Sequence, residues 1–527
     1  MNTNFKPLGL VAAVAAATAG YTGVTQAQDA EFAGTGLGDA AIVPYYTVQG
    51  DFVTGVHITN TSDLTQVVKL RFRRASDSMD ALDFNIIMSP FDMWTGFIKD
   101  DDGTISVGTS DTSCTAPLTV QATGVAEMPD IFREGAEEGY IEIIGMGSAT
   151  ADQLIAIGSD HGTTGTPADC ASVETNFFRN ATGSTAAVGV VSDTVSHQSC
   201  SAGLALAVPL LCPTATTIVP QNLLPAGDAL NVTYFVRSAE TGTEFGSRAV
   251  HLSGFGVSAM MSNQEIIVTG TGTTDFLSFL YPNLDGGSPA GASTGRFDGV
   301  RTALGAQTVI NEWSTNSANA VSTDWVVTMP GQYLMLNLPV YGAILDAGGS
   351  IDNCLSAAEI AAILPVPVPL PLACDARDLP VEVAIRFWDR EEQKTTTPQG
   401  GLVISPATTD TPDTALLENE VNVIEWTDGV NAPVLDSAYA TSFDVSALGA
   451  PNGWAQLAVT SDKAAGAAGV FIPTTVQDIR VVDETLVPIV GFAAWERSFA
   501  NNPGASYGRL IDHAYVGAST TTTAPAP

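Results

Sequence analysis

Along much of the chain, apolar side chains recur at every second position, the period of a pleated strand with one buried face. Val68, Leu70 and Phe72 alternate with Lys69, Arg71 and Arg73, and Val381, Val383, Ile385 and Phe387 alternate with Glu382, Ala384 and Arg386. Both runs predict half-buried strands. Comparable runs occupy residues 140–144, 232–236, 325–328, 333–338 and 421–426. Clusters of turn-forming residues such as Asn60-Thr61-Ser62-Asp63 and Asp285-Gly286-Gly287-Ser288-Pro289 separate the runs, as short connections between antiparallel strands require. The pattern predicts an all-β protein of antiparallel β-sandwich domains, Ig-like or jelly-roll-like. No repeat at a solenoid or propeller period is visible.

With 527 residues, 45% of them apolar, the chain can fill more than one core. The Gly, Ser and Pro cluster at 285–295 marks the boundary. The expected organisation is an N-terminal sandwich over 28–284, a linker or loop over 285–298, a C-terminal sandwich over 299–516 and a disordered polar tail over 517–527. Two insertions interrupt the strands. In one, Ser356 and Glu359 form a capping box ahead of an Ala-rich helix that stops at Pro365, and Pro367, Pro369 and Pro371 then enforce an extended run to Cys374. The other, between Cys200 and Cys212, encloses Leu204, Leu206, Val208, Leu210 and Leu211. Such apolar loops are expected to pack on the body or on each other; the alternative is a contact surface for a partner subunit or the outer membrane.

Residues 1–27 read as a secretory signal: Lys6, an apolar stretch too short to span a bilayer, and small residues ending at Ala27. No transmembrane helix is expected after its removal. Export places the six cysteines in an oxidising compartment, where none of their spacings is that of a zinc or redox pair. Three disulfides are expected, with Cys200 joined to Cys212 and Cys354 to Cys374, which leaves Cys114 for Cys170. Loss of Lys6 moves the net charge from −36 to −37, a balance that disfavours nucleic acid and anionic membrane surfaces as partners. Self-repulsion on that scale suits a saline or calcium-containing exterior.

The candidate chemistry is sparse. Gly291-Ala292-Ser293-Thr294-Gly295 matches a nucleophile-elbow pattern but lies in a loop rather than between a strand and a helix. His57, His161, His197, His251 and His513 are scattered, with no metal-binding pair. Asp160-His161 reads as turn chemistry. Asp100 and Asp102 are a weak calcium candidate, since the loop register puts Ile98 and Thr109 where the first and twelfth ligands belong; a hairpin turn is the competing reading. Acids adjoin tryptophans at Glu312-Trp313, Asp324-Trp325, Glu425-Trp426, Trp388-Asp389 and Trp495-Glu496. Exposed, these would suit sugar binding; core and rim packing is the plainer expectation. The basic run Lys69, Arg71, Arg73 and Arg74 either pairs with acids on a neighbouring strand or docks on an acidic surface of another copy.

Several segments, residues 42–48 (IVPYYTV), 67–72, 82–96 (LDFNIIMSPFDMWTG), 138–145 (EGYIEIIG), 323–329 (TDWVVTM) and 491–513, resemble a loose group of uncharacterised exported proteins of Gram-negative bacteria. The resemblance implies a β-rich cell-surface or periplasmic protein and brings no catalytic residues with it. The expected function is a non-enzymatic structural or adhesive role at the cell surface, outer membrane or exterior, with self-association as a homo-oligomer or as part of the cell envelope. The alternatives are a glycan-binding module or polysaccharide-acting hydrolase, and an outer-membrane β-barrel. No cofactor is expected beyond calcium.

Overall fold

A computed structural model describes residues 30–178, 194–196, 220–261, 267–268, 274–275, 282–286, 296–331, 381–391, 413–461 and 487–516. Both apolar insertions, the run at 333–338, Ser293, the leader and the tail lie outside the described residues.

Where apolar residues alternate, the chain forms strands. Strands β1 (Glu31–Phe32), β2 (Ala40–Thr47), β3 (Phe52–Asn60), β4 (Thr65–Arg74), β5 (Asp80–Met88), β6 (Met93–Asp101), β7 (Thr104–Gly108), β8 (Cys114–Ala116), β9 (Val125–Glu127) and β10 (Glu138–Ala149) follow one another. After the short pair β11 (Thr194–Ser196) and β12 (Pro220–Asn222) come β13 (Leu230–Ser238), β14 (Glu244–Arg248) and β15 (Val250–Ser253). They build a first sheet of seven strands, β1-β15-β2-β10-β4-β5-β8, and a second of six, β14-β13-β3-β6-β7-β9.

The later chain repeats the plan. β16 (Ile267–Val268) and β17 (Thr274–Asp275) pair, and the helix Arg296–Leu304 leads into β18 (Gly305–Ala306), β19 (Thr308–Ser314) and β20 (Val321–Thr328). Then follow β21 (Val381–Asp389), β22 (Asp413–Leu417), β23 (Val421–Thr427), β24 (Ala440–Asp444), β25 (Asn452–Ser461), β26 (Val487–Pro488), β27 (Val490–Arg497), β28 (Tyr507–Asp512) and β29 (Ala514–Val516). The third sheet runs β22-β21-β25-β19-β29 and the fourth β24-β23-β20-β27-β28. Among the described strands, β23 with β24 is the parallel exception in otherwise antiparallel pairing. Among the described residues the sheets are open, not closed into a barrel, and the fold is all-β and sandwich-like.

The two halves share a core. In the fourth sheet, Trp325, Val327, Ile424, Trp426 and Ala493 face the core beneath the third sheet, packed with Trp313. On its other face Val326, Val421, Val423, Val490, Phe492 and Ala494 join the N-terminal core, where Phe492 lies 6.4 Å from Tyr45. The fourth sheet is thus a middle layer, apolar on both faces, as its unbroken burial along Val321–Thr328 requires. The helix Arg296–Leu304 includes residues 296–298 of the expected linker and sends Phe297, Val300 and Leu304 into the N-terminal core.

A smaller cluster sits at one end of the first sheet. There Val67 and Ile87 pack against Ile155, Val173 and Phe177 of the short helices Leu154–Ser159 and Cys170–Phe177. The disulfide Cys114–Cys170 ties the second of these helices to edge strand β8 across 56 residues. Helices this short do not hold themselves, so the bridge and the apolar contact secure them. Opening a loop of that length relaxes the unfolded chain by about 4 kcal/mol. Cys114→Ala with Cys170→Ala is therefore expected to lower the unfolding free energy in urea by about that amount; an unchanged midpoint would contradict this role of the bridge.

Candidate functional site

The basic run points inward. Lys69 lies 2.7 Å from Asp83, Arg71 pairs with Asp80, Arg73 lies 3.3 Å from Glu142 and Arg74 pairs with Asp77. Arg71 also donates to the Pro282 carbonyl at 3.0 Å, and Arg73 to that of Ser78 at 3.0 Å. Lys69 and Arg71 are 0% exposed and Arg73 1%. The reading of these residues as a docking face for another copy is corrected: a face without solvent access cannot meet a partner, and the intramolecular pairing applies instead. Strand β4 is accordingly buried on both faces, not half-buried. Val68, Leu70 and Phe72 face the second sheet, while on the charged face the Pro282 carbonyl meets Arg71 and the Gly331 N–H meets Tyr140.

Asp100 and Asp102 belong to the hairpin joining β6 to β7. Asp102 and Gly103 have φ of 53° and 83°, the two left-handed residues of a type I′ turn, and Asp100 Oδ1 accepts the Gly103 N–H at 2.7 Å. No group of three or more His, Cys, Asp or Glu side chains able to hold a metal ion occurs among the described residues.

Ser89, Asp92 and His161 come together, but not as a catalytic relay. Ser89 Oγ lies 3.0 Å and Asp92 Oδ2 3.7 Å from the same ring nitrogen, His161 Nδ1. A relay needs the serine and the acid on opposite nitrogens. Asp92 also accepts from Ser113 Oγ at 3.1 Å, so the cluster fastens the loop carrying His161 onto the turn between β5 and β6.

The acid–tryptophan neighbours are split by the pleat, since successive strand residues face opposite sides. Trp313, Trp325 and Trp426 are buried, while Glu312 is exposed. Exposed chemistry assembles through cross-strand register instead. On the outer face of the third sheet Trp454 stacks on Trp388, with ring centroids 4.1 Å apart and planes 15° apart. Glu312 stands opposite Trp454 and pairs with Arg509 of β28, whose guanidinium lies 4.9 Å over the Trp495 ring. Trp495 meets Tyr507 at 5.8 Å, and Tyr507 meets Phe499 at 6.4 Å. Trp454 is 39% and Tyr507 48% exposed. The result is a ridge of aromatic rings and charged groups crossing from the third sheet to the fourth. The sequence pointed to Trp388, Trp495 and Glu312, but Trp454, Arg509 and Tyr507 needed the register.

Three buried carboxyl groups pin loops. Asp39 accepts the N–H groups of Phe255 at 3.0 Å and Gly256 at 2.6 Å, and Asp324 those of Val434 at 2.7 Å and Leu435 at 2.8 Å. Glu138 accepts from Tyr45 at 2.7 Å, Ser437 Oγ at 2.5 Å and the Ala438 N–H at 2.8 Å, joining the halves. Burial pushes Asp39 up to about 6 and Asp324 up to about 7, and raises Glu138, with the accepted hydrogen bonds opposing in each case. A raised carboxyl binds its proton more tightly folded than unfolded, so its stabilisation is present below the unfolded value and lost as pH rises through the folded one. His251 and His513, each lowered to about 4 by burial, act oppositely in the acidic part of that window. The Asp324 contribution is therefore isolated by difference. Between pH 5 and pH 8, Asp324→Asn is expected to gain about 2 to 3 kcal/mol relative to the native chain in urea unfolding. A pH-independent difference would refute the buried acid.

In comparisons with known proteins, no family model, curated protein or solved structure matches this chain.

Proposed function

We propose that this chain is an exported, non-enzymatic adhesive protein of the cell surface that holds glycan chains along the ridge of Trp388, Trp454, Glu312, Arg509, Trp495 and Tyr507. The observation that carries this reading is the line of accessible rings interleaved with the Glu312 carboxylate and the Arg509 guanidinium. Sugar rings present apolar C–H faces that stack on indole and phenol, and their hydroxyl groups hydrogen-bond to charged side chains. An open ridge suits a polymer passing over it. A glycosidase requires two carboxyl groups about 5 to 9.5 Å apart across the scissile bond; among the described ridge residues, Glu312 is the single carboxylate. With 56 acidic against 20 basic residues, the chain repels polyanions, so neutral glycans are favoured over sulfated or uronic ones.

Affinity electrophoresis through gels containing neutral polysaccharides tests the reading. Retardation of the native chain by at least one neutral polymer is expected, with Trp454→Ala weakening it about tenfold, a loss of about 1.4 kcal/mol. The variant should keep the native circular dichroism spectrum, since Trp454 packs on the sheet exterior. Failure of all neutral polymers to retard the native chain, or equal retardation of the variant, would overturn the assignment.

A further inference from the structure

A cavity of about 610 Å³ opens at the seam between the halves, between Phe32, Gly36 and Arg248 on one side and Val490, Asp512 and His513 on the other, with the end of the helix Arg296–Leu304 as a third wall. That volume falls in the range of small-molecule sites, roughly 300 to 1,000 Å³, and junctions between folded units are where such sites concentrate.

Most of its polar side chains are already engaged. Val232 N–H donates to His251 Nε2 at 2.9 Å, and His251 Nδ1 lies 2.8 Å from the Ala249 carbonyl. Asn311 Nδ2 donates to His513 Nδ1 at 2.8 Å, and His513 Nε2 lies 2.9 Å from the Val326 carbonyl. Tyr515 donates to the Gly491 carbonyl at 3.2 Å. Neither histidine has a ring nitrogen left for a ligand.

Arg248 and Asp512 differ. Both are exposed, both line the cavity, and among the described residues neither side chain forms an ion pair or hydrogen bond, with the other or with any third group. Gly36 accommodates Arg248: the glycine has φ of 73°, and a Cβ there would collide with the Arg248 side chain. Two opposite, unpaired charges share one cavity whose remaining walls include the apolar Phe32, Leu304, Ile489 and Val490.

We propose that this cavity binds a small zwitterion with an apolar body, its carboxylate on Arg248 and its ammonium on Asp512. An amino acid and a short peptide both present that chemistry. The guanidinium fork matches a carboxylate in bidentate fashion, and the isolated carboxylate accepts from an ammonium. The site is independent of the aromatic ridge.

Isothermal titration calorimetry of the full chain with L-leucine and with the dipeptide alanyl-leucine tests the proposal and separates the two sources. Saturable binding of at least one is expected. N-acetyl-leucine and leucinamide, each lacking one charge, should bind about tenfold or more weakly than leucine if leucine is the ligand, and the corresponding blocked dipeptides likewise. Arg248→Gln should weaken the zwitterion about tenfold while leaving the carboxylate-blocked ligand unaffected, and Asp512→Asn should weaken the zwitterion about tenfold while leaving the amine-blocked ligand unaffected. Should either variant misfold, the blocked ligands on the native chain make the same test. Absence of saturable binding by both zwitterions at low-millimolar concentration, or binding indifferent to blocking and to both substitutions, would overturn the proposal.

Discussion

The arrangement of the whole molecule depends on charges placed where water is absent. Four of the 20 basic residues are paired at β4: Lys69, Arg71 and Arg73 with Asp83, Asp80 and Glu142 on one face of the first sheet, and Arg74 with Asp77 at the end of the strand. Burying either sign alone would cost several kcal/mol per ion, and pairing restores most of that cost without adding much net stability. What such pairing supplies is a constraint on arrangement. Burial pushes the Lys69 ammonium below its ordinary value, and the Asp83 carboxylate opposes that shift. A slip of β4 by one residue would turn its cations towards the apolar second sheet, so register and charge pairing select the same alignment.

Hydrogen bonds at several places join the halves. Glu138, on β10 beside the ion pairs, holds the Ser437–Ala438 segment, while Thr328 Oγ1 donates to the Pro44 carbonyl at 2.5 Å and Thr243 Oγ1 to Glu496 at 2.8 Å. With the fourth sheet apolar on both faces, the N-terminal and C-terminal strands form a continuous interior. The aromatic ridge and the seam cavity inherit rigidity from that interior, because their side chains project from paired strands rather than from free loops.

Much of this was legible in the sequence. Alternation of period two gave the strand at 65–74 and those at 138–149, 230–238, 381–389 and 421–427, together with the all-β class. Pairing of Cys114 with Cys170 was reachable by elimination, and the structure contains that bridge. The burial of Lys69, Arg71 and Arg73 was not legible, because a charged strand face looks solvent-facing until its partners are placed, and Glu142 is separated from Arg73 by 69 residues. The ridge failed for a related reason. Neighbours such as Glu312 and Trp313 attract attention in a linear reading, yet the pleat sends them to opposite faces, and the true neighbour of Glu312 is Trp454. Arg248 and Asp512 carried no local signal at all, since their meeting in one cavity depends on how the halves dock.

The central claim is that the charges on β4 are buried and mutually required. A double-mutant cycle in urea unfolding on Lys69→Met and Asp83→Leu tests it most directly. Each single substitution, which takes its ion-pair partner from a buried charge, is predicted to cost about 3 to 5 kcal/mol, and the double substitution markedly less than their sum. Single losses below about 1 kcal/mol that simply add, as for a surface ion pair, would contradict the account.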